Sequence, residues 1–179
     1  QEIQGSLPQI SHMLLMDQAK IKRELLSAFP PIKDVNLSRN FLARRITFRF
    51  EERQQAATLC SAQCFAVDQD GVVFIESELK SNLPTILLLE ERNIDLGQQA
   101  LDPAKVAVFL NLKKELESLG VVAFELPGNQ RINVRMAENL SGQDWAVYFD
   151  GEGNIEWQLT KLKQVLEKEV PAEKRKQLE

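Results

Sequence analysis

The side chains in this sequence best suited to metal or covalent chemistry are two cysteines, Cys60 and Cys64, and a single histidine, His12. A structural zinc site needs four thiolate or imidazole ligands, and these residues supply at most three. A nucleophilic thiol or hydroxyl is activated by a neighbouring base, but no such partner of His12 can be identified by spacing. We therefore predict no metal site and interpret His12 as a surface or capping residue.

The two cysteines lie in an apolar segment, residues 58–67, which predicts one strand over Leu59–Val67. In a continuous strand their Cα atoms would be about 13 Å apart, at ~3.3 Å per residue. A disulfide requires Cα atoms within about 7 Å, so a strand excludes the bond and a bend allows it. We interpret both residues as small and buried or half-buried. A thiol-dependent envelope enzyme using one of them remains an alternative.

The sequence lacks the signatures of three common enzyme classes: the Gly-x-Ser-x-Gly elbow, the phosphate-binding loop and the dinucleotide-binding glycine fingerprint. The acidic stretches 68–71 and 150–154 do not fit the spacing of a calcium-binding EF-hand loop, and their Asp-Gly and Gly-Asn steps are typical of β-turns. The glutamate pairs 51–52 and 90–91 would alternate faces on a strand, so their members cannot converge on one substrate bond. The sequence predicts a protein that is not an enzyme and has no cofactor.

Composition and charge exclude further classes of protein. The chain has 179 residues, a formal net charge of −4 and 44% hydrophobic residues, as an ordinary globular protein does. Its longest aliphatic run is Ile86–Leu89, far below the ~18 apolar residues of a membrane span. Residues 1–57 carry nine Lys/Arg against six Asp/Glu. The only basic cluster is interrupted by glutamates and lacks interleaved aromatics, so it predicts a solvated strand face rather than a nucleic-acid site; it comprises Arg44, Arg45, Arg49 and Arg53.

The sequence pattern of the first part of the chain, residues 1–57, predicts one helix followed by two strands. Asp17 is a good N-cap, and apolar residues follow at four-residue spacing until Pro30. Apolar and polar residues then alternate around 35–37 and 46–50, which predicts a hairpin.

The second part, residues 58–179, predicts several strands with single helices between them. One helix begins at the Asp102 cap and Pro103 and closes at Gly120. Its inward stripe is predicted to be Val106, Phe109, Leu110, Leu116 and Leu119. A strand with Val122, Phe124 and Leu126 inward follows, and a last helix starts near Glu156. Strands in runs with single helices predict an α+β fold with an antiparallel or mixed sheet.

The segment 145–149 is the best candidate for contact with a partner protein. Trp and Tyr are favoured at interface anchors, and an open sheet edge offers free backbone groups to an added strand. Period-two spacing favours a core-facing orientation for Trp145, Val147 and Phe149. It favours a surface orientation for Tyr148. The candidate partner-binding residues are Trp145, Val147, Tyr148 and Phe149.

Residues 65–74, FAVDQDGVVF, resemble the VD-x-DG-V-V-F stretch of the bacterial cell-division family FtsQ/DivIB. Upstream, residues 17–53 resemble the family's POTRA module. Downstream, residues 83–86 (LPTI), the helix after Pro103, and residues 132–134 (INV) and 159–162 (LTKL) resemble its β domain. The ordered set covers nearly the whole chain.

The resemblance implies a POTRA-like module at 1–57 and a β domain at 58–179 that stops before the family's final strands. Those strands follow the family's last helix and hold much of its partner contact, and the resemblance makes the segment 145–149 their neighbour. It also implies a single-pass membrane protein whose transmembrane helix precedes Gln1 and whose remainder lies outside the cytoplasm at the division septum. Such a protein is a scaffold that binds FtsB/DivIC- and FtsL-type membrane proteins and helps control septal peptidoglycan synthesis. The alternative within the binding class is a POTRA-bearing protein of outer-membrane assembly or secretion.

Overall fold

The computed structural model describes residues 17–40, 45–79, 82–90, 92–128, 131–136 and 145–170. The predicted residues His12, Arg44 and Glu91 lie outside these ranges. The chain divides into two compact units, Gln1–Glu52 and Arg53–Glu179, whereas the boundary predicted from the sequence follows residue 57. The fold class is α+β, as the order of elements predicts.

The first unit contains one helix and a two-stranded antiparallel sheet, in the predicted order. Its elements are α1 (Gln18–Ala28), β1 (Ile32–Asn40) and β2 (Arg45–Glu52). The Asp17 carboxylate accepts hydrogen bonds from the backbone N–H groups of Ala19 and Lys20, which confirms the predicted N-cap. In the hairpin, Val35 lies opposite Phe50 and Leu37 opposite Phe48.

The second unit contains a seven-stranded mixed sheet in the order β5-β4-β3-β6-β7-β8-β9. Strand β6 pairs in parallel with both β3 and β7, and the other pairs are antiparallel. The elements are β3 (Ala57–Cys60), β4 (Cys64–Val67), β5 (Val73–Glu76), β6 (Thr85–Leu88), α2 (Pro103–Glu115), a 3₁₀ turn (Glu117–Leu119), β7 (Val121–Leu126), β8 (Arg131–Met136), β9 (Trp145–Asp150) and α3 (Ile155–Lys168).

One face of this sheet packs against the helices. A row across four neighbouring strands is fully buried on that face, with 0% exposure at each position: Leu59, Ile86, Phe124 and Val134. Phe109 of α2 and Leu159 of α3 belong to the same apolar cluster. Each such side chain contributes about 1.5–3 kcal/mol through burial, so the sheet is held mainly by this face.

Helix α2 of the second unit begins at a side-chain cap. The Asp102 carboxylate accepts from the backbone N–H of Ala104, and Pro103 is the first helical residue, which confirms the prediction for α2. Gly120 closes the segment with φ +74°.

Val106, Phe109 and Leu116 are buried as predicted. Leu110 and Leu119 are only half-buried, and Leu112, not predicted, is fully buried.

Two predictions about strands are wrong. The segment predicted as one strand over Leu59–Val67 forms β3 and β4, an antiparallel hairpin with a bend at residues 61–63. These three residues include no Gly, Pro, Asn or Asp, and Ser61 is the only turn-favouring residue among them, so the turn signal is weak. In β7, Val122 is 54% exposed instead of buried. A register shift between Val121 and Ala123 brings Val121, together with Phe124, into the apolar cluster and leaves Val122 outside it.

A buried ion pair organises the turn between β4 and β5. Asp68 is 3% exposed, and its Oδ1 accepts hydrogen bonds from the backbone N–H groups of Asp70 and Val72 at 3.0 and 2.9 Å. Its Oδ2 accepts a hydrogen bond from the guanidinium of Arg53. The prediction that Arg53 lies on a solvated strand face is therefore wrong, because its side chain is only 16% exposed. Arg45 and Arg49 are exposed as predicted.

Candidate partner-binding edge

Strand β9 lies at one margin of the seven-stranded sheet. It pairs with β8 on one side, and no strand among the described residues pairs with its other side. The opposite margin, β5, is partly covered: the backbone N–H of Val73 donates to Gln98, and that of Gly97 donates to Val73. Within the described part of the chain, β9 therefore offers the more open edge to an added strand.

Contacts at the end of β9 identify the backbone groups that face outward. The backbone N–H of Asp150 donates to Oε1 of Gln158 at 2.8 Å, and its C=O accepts from Nε2 of the same side chain at 3.0 Å. The Asp150 N–H therefore does not point toward Arg131, its register partner in β8. Because backbone orientation alternates along an antiparallel strand, Ala146 and Tyr148 also direct their N–H and C=O groups outward. Val147 and Phe149 direct theirs toward β8.

The side chains of β9 alternate between core and surface. Phe149 is 2% exposed, and Trp145 and Val147 are half-buried against the same apolar cluster. Tyr148 is 63% exposed, which confirms the orientation predicted for it. The buried Phe149 ring does not form a contact surface, so it contributes to the strand's position only. The accessible candidates are Tyr148 and, in part, Trp145 and Val147.

Charged and polar groups surround Tyr148 on the sheet face opposite the buried row. The Arg131 guanidinium lies 5.1 Å from the centroid of the Tyr148 ring, a cation–π contact. Asn133, the register partner of Tyr148, is 7% exposed, and its Oδ1 has no hydrogen-bond partner within the described chain. On β7 and β8, Glu125 and Arg135 form an ion pair at 3.5 Å. The Tyr148 ring therefore lies beside the open edge with the Arg131 guanidinium against it.

The two cysteines form a disulfide across the β3–β4 hairpin. Cys60 and Cys64 are directly opposite each other in the register, with Cα atoms 4.1 Å apart. The bend that allows this bond is therefore present, and the disulfide forms within the hairpin. Cys60 is 5% exposed and Cys64 is half-buried. Neither sulfur is a free thiol in this structure.

A cavity of about 260 Å³ lies where β6 and β7 end and α2 begins. Its polar lining mixes both signs of charge: Glu90, Arg92, Asp102 and Lys105. Asp102 already accepts a first-turn N–H of α2, and Arg92 donates to the C=O of Ala100. Asp102 and Arg92 are therefore already paired within the chain, and the described lining residues form no convergent set of donors for an anion.

The described residues show no second candidate site in their pKa shifts or in their possible metal ligands. Lys163 donates a hydrogen bond to Glu115, which lowers the pKa of that carboxyl, and Lys22 does the same for Asp34. Both pairs are at the surface. Across the described residues, no group of three or more His, Cys, Asp or Glu side chains could hold a metal ion. No described helix has the length and apolar character that crossing a membrane requires.

Comparisons with models of protein families, with curated proteins and with solved structures find no match to this chain.

Proposed function

We propose that this chain is the extracytoplasmic part of a bacterial cell-division scaffold of the FtsQ/DivIB type. In this proposal it is not an enzyme, and an upstream helix anchors it in the cell membrane. It binds FtsB/DivIC- and FtsL-like membrane proteins at the septum and helps control septum formation. The observation that supports it best is the open edge of β9.

The open edge supports binding by strand addition for a physical reason. The outward N–H and C=O groups of Ala146 and Tyr148 can form main-chain hydrogen bonds with an extended segment, as the strands inside the sheet do. Main-chain bonds supply affinity, and alternate side chains supply specificity. Tyr148 is well suited to specificity, because an aromatic ring with a polar tip contributes a large contact area at low entropic cost.

The arrangement of the two units gives secondary support. A small helix–strand–strand unit precedes a larger sheet unit, which is the order that the resemblance implies. The residues that carry the resemblance, 65–74, include most of β4, the Asp68 turn and the start of β5.

Photocrosslinking in living cells tests the proposal. A benzophenone amino acid replaces Tyr148 in the full-length protein, and crosslinked products are identified by mass spectrometry. The control carries the same group at Ile75, a 48% exposed residue of β5 at the opposite margin of the sheet. We expect small single-span membrane proteins with a coiled coil to crosslink from position 148 and not from position 75.

Other patterns contradict the proposal. Equal capture from both positions would assign no special role to β9. Crosslinking only to outer-membrane assembly or secretion proteins would favour the alternative within the binding class. A product consisting only of a second copy of this chain would identify the edge as a self-association surface instead.

A further inference from the structure

The Gln158 side chain occupies the end of the open edge of β9. Its amide accepts from the N–H of Asp150 and donates to the C=O of the same residue. A primary amide that forms both bonds uses the donor and the acceptor that a peptide group of a neighbouring strand would use. The outward groups of Asp150 are therefore already paired within the chain.

The surroundings fix this amide in place. The Asp150 C=O also accepts a hydrogen bond from the N–H of Gly153. The Asp150 carboxylate accepts one from the N–H of Glu152. Asn154 caps α3 through the N–H of Trp157. A Cβ added at Gly153 would lie 2.9 Å from Nε2 of Gln158, so a glycine leaves the room that the amide needs. The turn and the first turn of α3 hold Gln158 against the strand.

We propose that Gln158 acts as a stop that limits strand addition to the part of β9 before Asp150. This inference rests on the proposed function and specifies its site. The occupant is an extended segment of another polypeptide, because the groups that the described residues leave open, on Ala146 and Tyr148, are two residues apart, which is the spacing of the paired peptide groups of a neighbouring strand. The segment forms its main-chain bonds with these two residues, and its register ends where the amide of Gln158 begins.

Amide hydrogen exchange, measured by NMR on the protein without a partner, tests the geometry. The amides of Val147 and Phe149 should be protected by β8, that of Asp150 by Gln158, and those of Ala146 and Tyr148 should exchange fast. Gln158→Ala should speed exchange at Asp150 by roughly tenfold, as expected for loss of one hydrogen bond, and leave Phe149 unchanged. Gln164→Ala, at an exposed glutamine of the same helix, should change neither.

Crosslinking in cells tests the consequence for binding. Benzophenone groups placed one at a time at positions 146, 148 and 150 are compared in the full-length protein and in its Gln158→Ala variant. We expect a partner to crosslink from 146 and 148 in both, and from 150 only in the variant. Gln158→Glu retains the acceptor and loses the donor, so it should give an intermediate yield at 150.

The outcomes separate the two proposals. If the partner crosslinks from 146 and 148 but position 150 behaves identically with and without Gln158, the stop is refuted and the binding edge stands. If Asp150 exchanges fast in the unmodified protein, the stop is refuted whatever the partner does. Absence of any partner at 146 and 148 overturns both proposals, and a crosslink within the chain itself would show that its own residues fill the edge.

Discussion

Replacing Asp68 with alanine should strongly destabilise the second unit. The carboxylate is nearly buried and accepts two backbone N–H bonds as well as one from Arg53. Hydrogen bonds to a charged group contribute ~1.5–3 kcal/mol each, and removing one member of a buried ion pair costs ~3–5 kcal/mol. These contributions share one side chain and do not add. We therefore expect a loss of about 3–5 kcal/mol in the free energy of unfolding.

Urea unfolding followed by tryptophan fluorescence measures this loss. The two tryptophans, Trp145 and Trp157, are both in the second unit, so the signal reports that unit alone. The m-value, which is the decrease in unfolding free energy per molar urea, is ~2 kcal/mol per M for a small protein. Asp68→Ala should therefore lower the urea midpoint by roughly 2 M.

Two further variants make the Asp68 prediction specific. Asp68→Asn retains an acceptor for the backbone N–H groups but loses the charge, so it should lie between Asp68→Ala and the unmodified chain. Gln69→Ala, at an exposed residue of the same turn, should stay within about 0.5 kcal/mol of the unmodified chain. If Asp68→Ala and Gln69→Ala unfold at the same urea concentration, the assignment of a structural role to this ion pair is refuted.

Three other predictions concern stability. Gly71→Ala should cost roughly 2 kcal/mol or more, because Gly71 has φ +76° and an added Cβ would lie 1.9 Å from the carbonyl oxygen of Leu101. Gly128→Ala should be nearly neutral, because no atom of the described residues beyond its chain neighbours lies within 4 Å of the added Cβ. Equal urea midpoints for the two glycine variants would contradict this reasoning. Reducing the Cys60–Cys64 disulfide should cost about 2 kcal/mol, because the closed loop is short; complete unfolding by reductant would show that the bond does more than close this loop. The Lys163 hydrogen bond lowers the pKa of Glu115, so this pair should stabilise the fold fully above the unfolded-state pKa and lose its effect as pH falls through the folded-state pKa. NMR titration should show a higher Glu115 pKa in Lys163→Gln, and an unchanged pKa would count against the pair.

The parts of the fold that depend on local chemistry could be predicted from the sequence. Asp17 and Asp102 cap helices because their carboxylates reach first-turn N–H groups within their own segments. The alternation around Tyr148 predicts its exposure because side chains of a strand alternate between faces. These features involve neighbours a few residues apart, so the sequence pattern contains them.

Other parts of the fold lack a distinctive sequence signal and could not be predicted. The β3–β4 hairpin has Ser61 as its only turn-favouring residue at positions 61–63, and the pairing of the two strands shows that the chain reverses there. The bulge at Val122 arises from the register between β7 and β8. Gln158 is a polar residue on an amphipathic helix, and only its contact with Asp150 distinguishes it from the exposed Gln164.

A proline at Ala146 tests strand addition to β9 most directly. The Ala146 N–H faces away from β8, so proline removes a group offered to a partner without removing a bond inside the sheet. Ala146→Thr, which retains the N–H, is the control. With the crosslinker at Tyr148 in the full-length protein, we predict that Ala146→Pro keeps the urea midpoint of the second unit and loses the crosslinked partner, whereas Ala146→Thr retains both. Undiminished crosslinking in the folded Ala146→Pro protein would contradict binding through this edge.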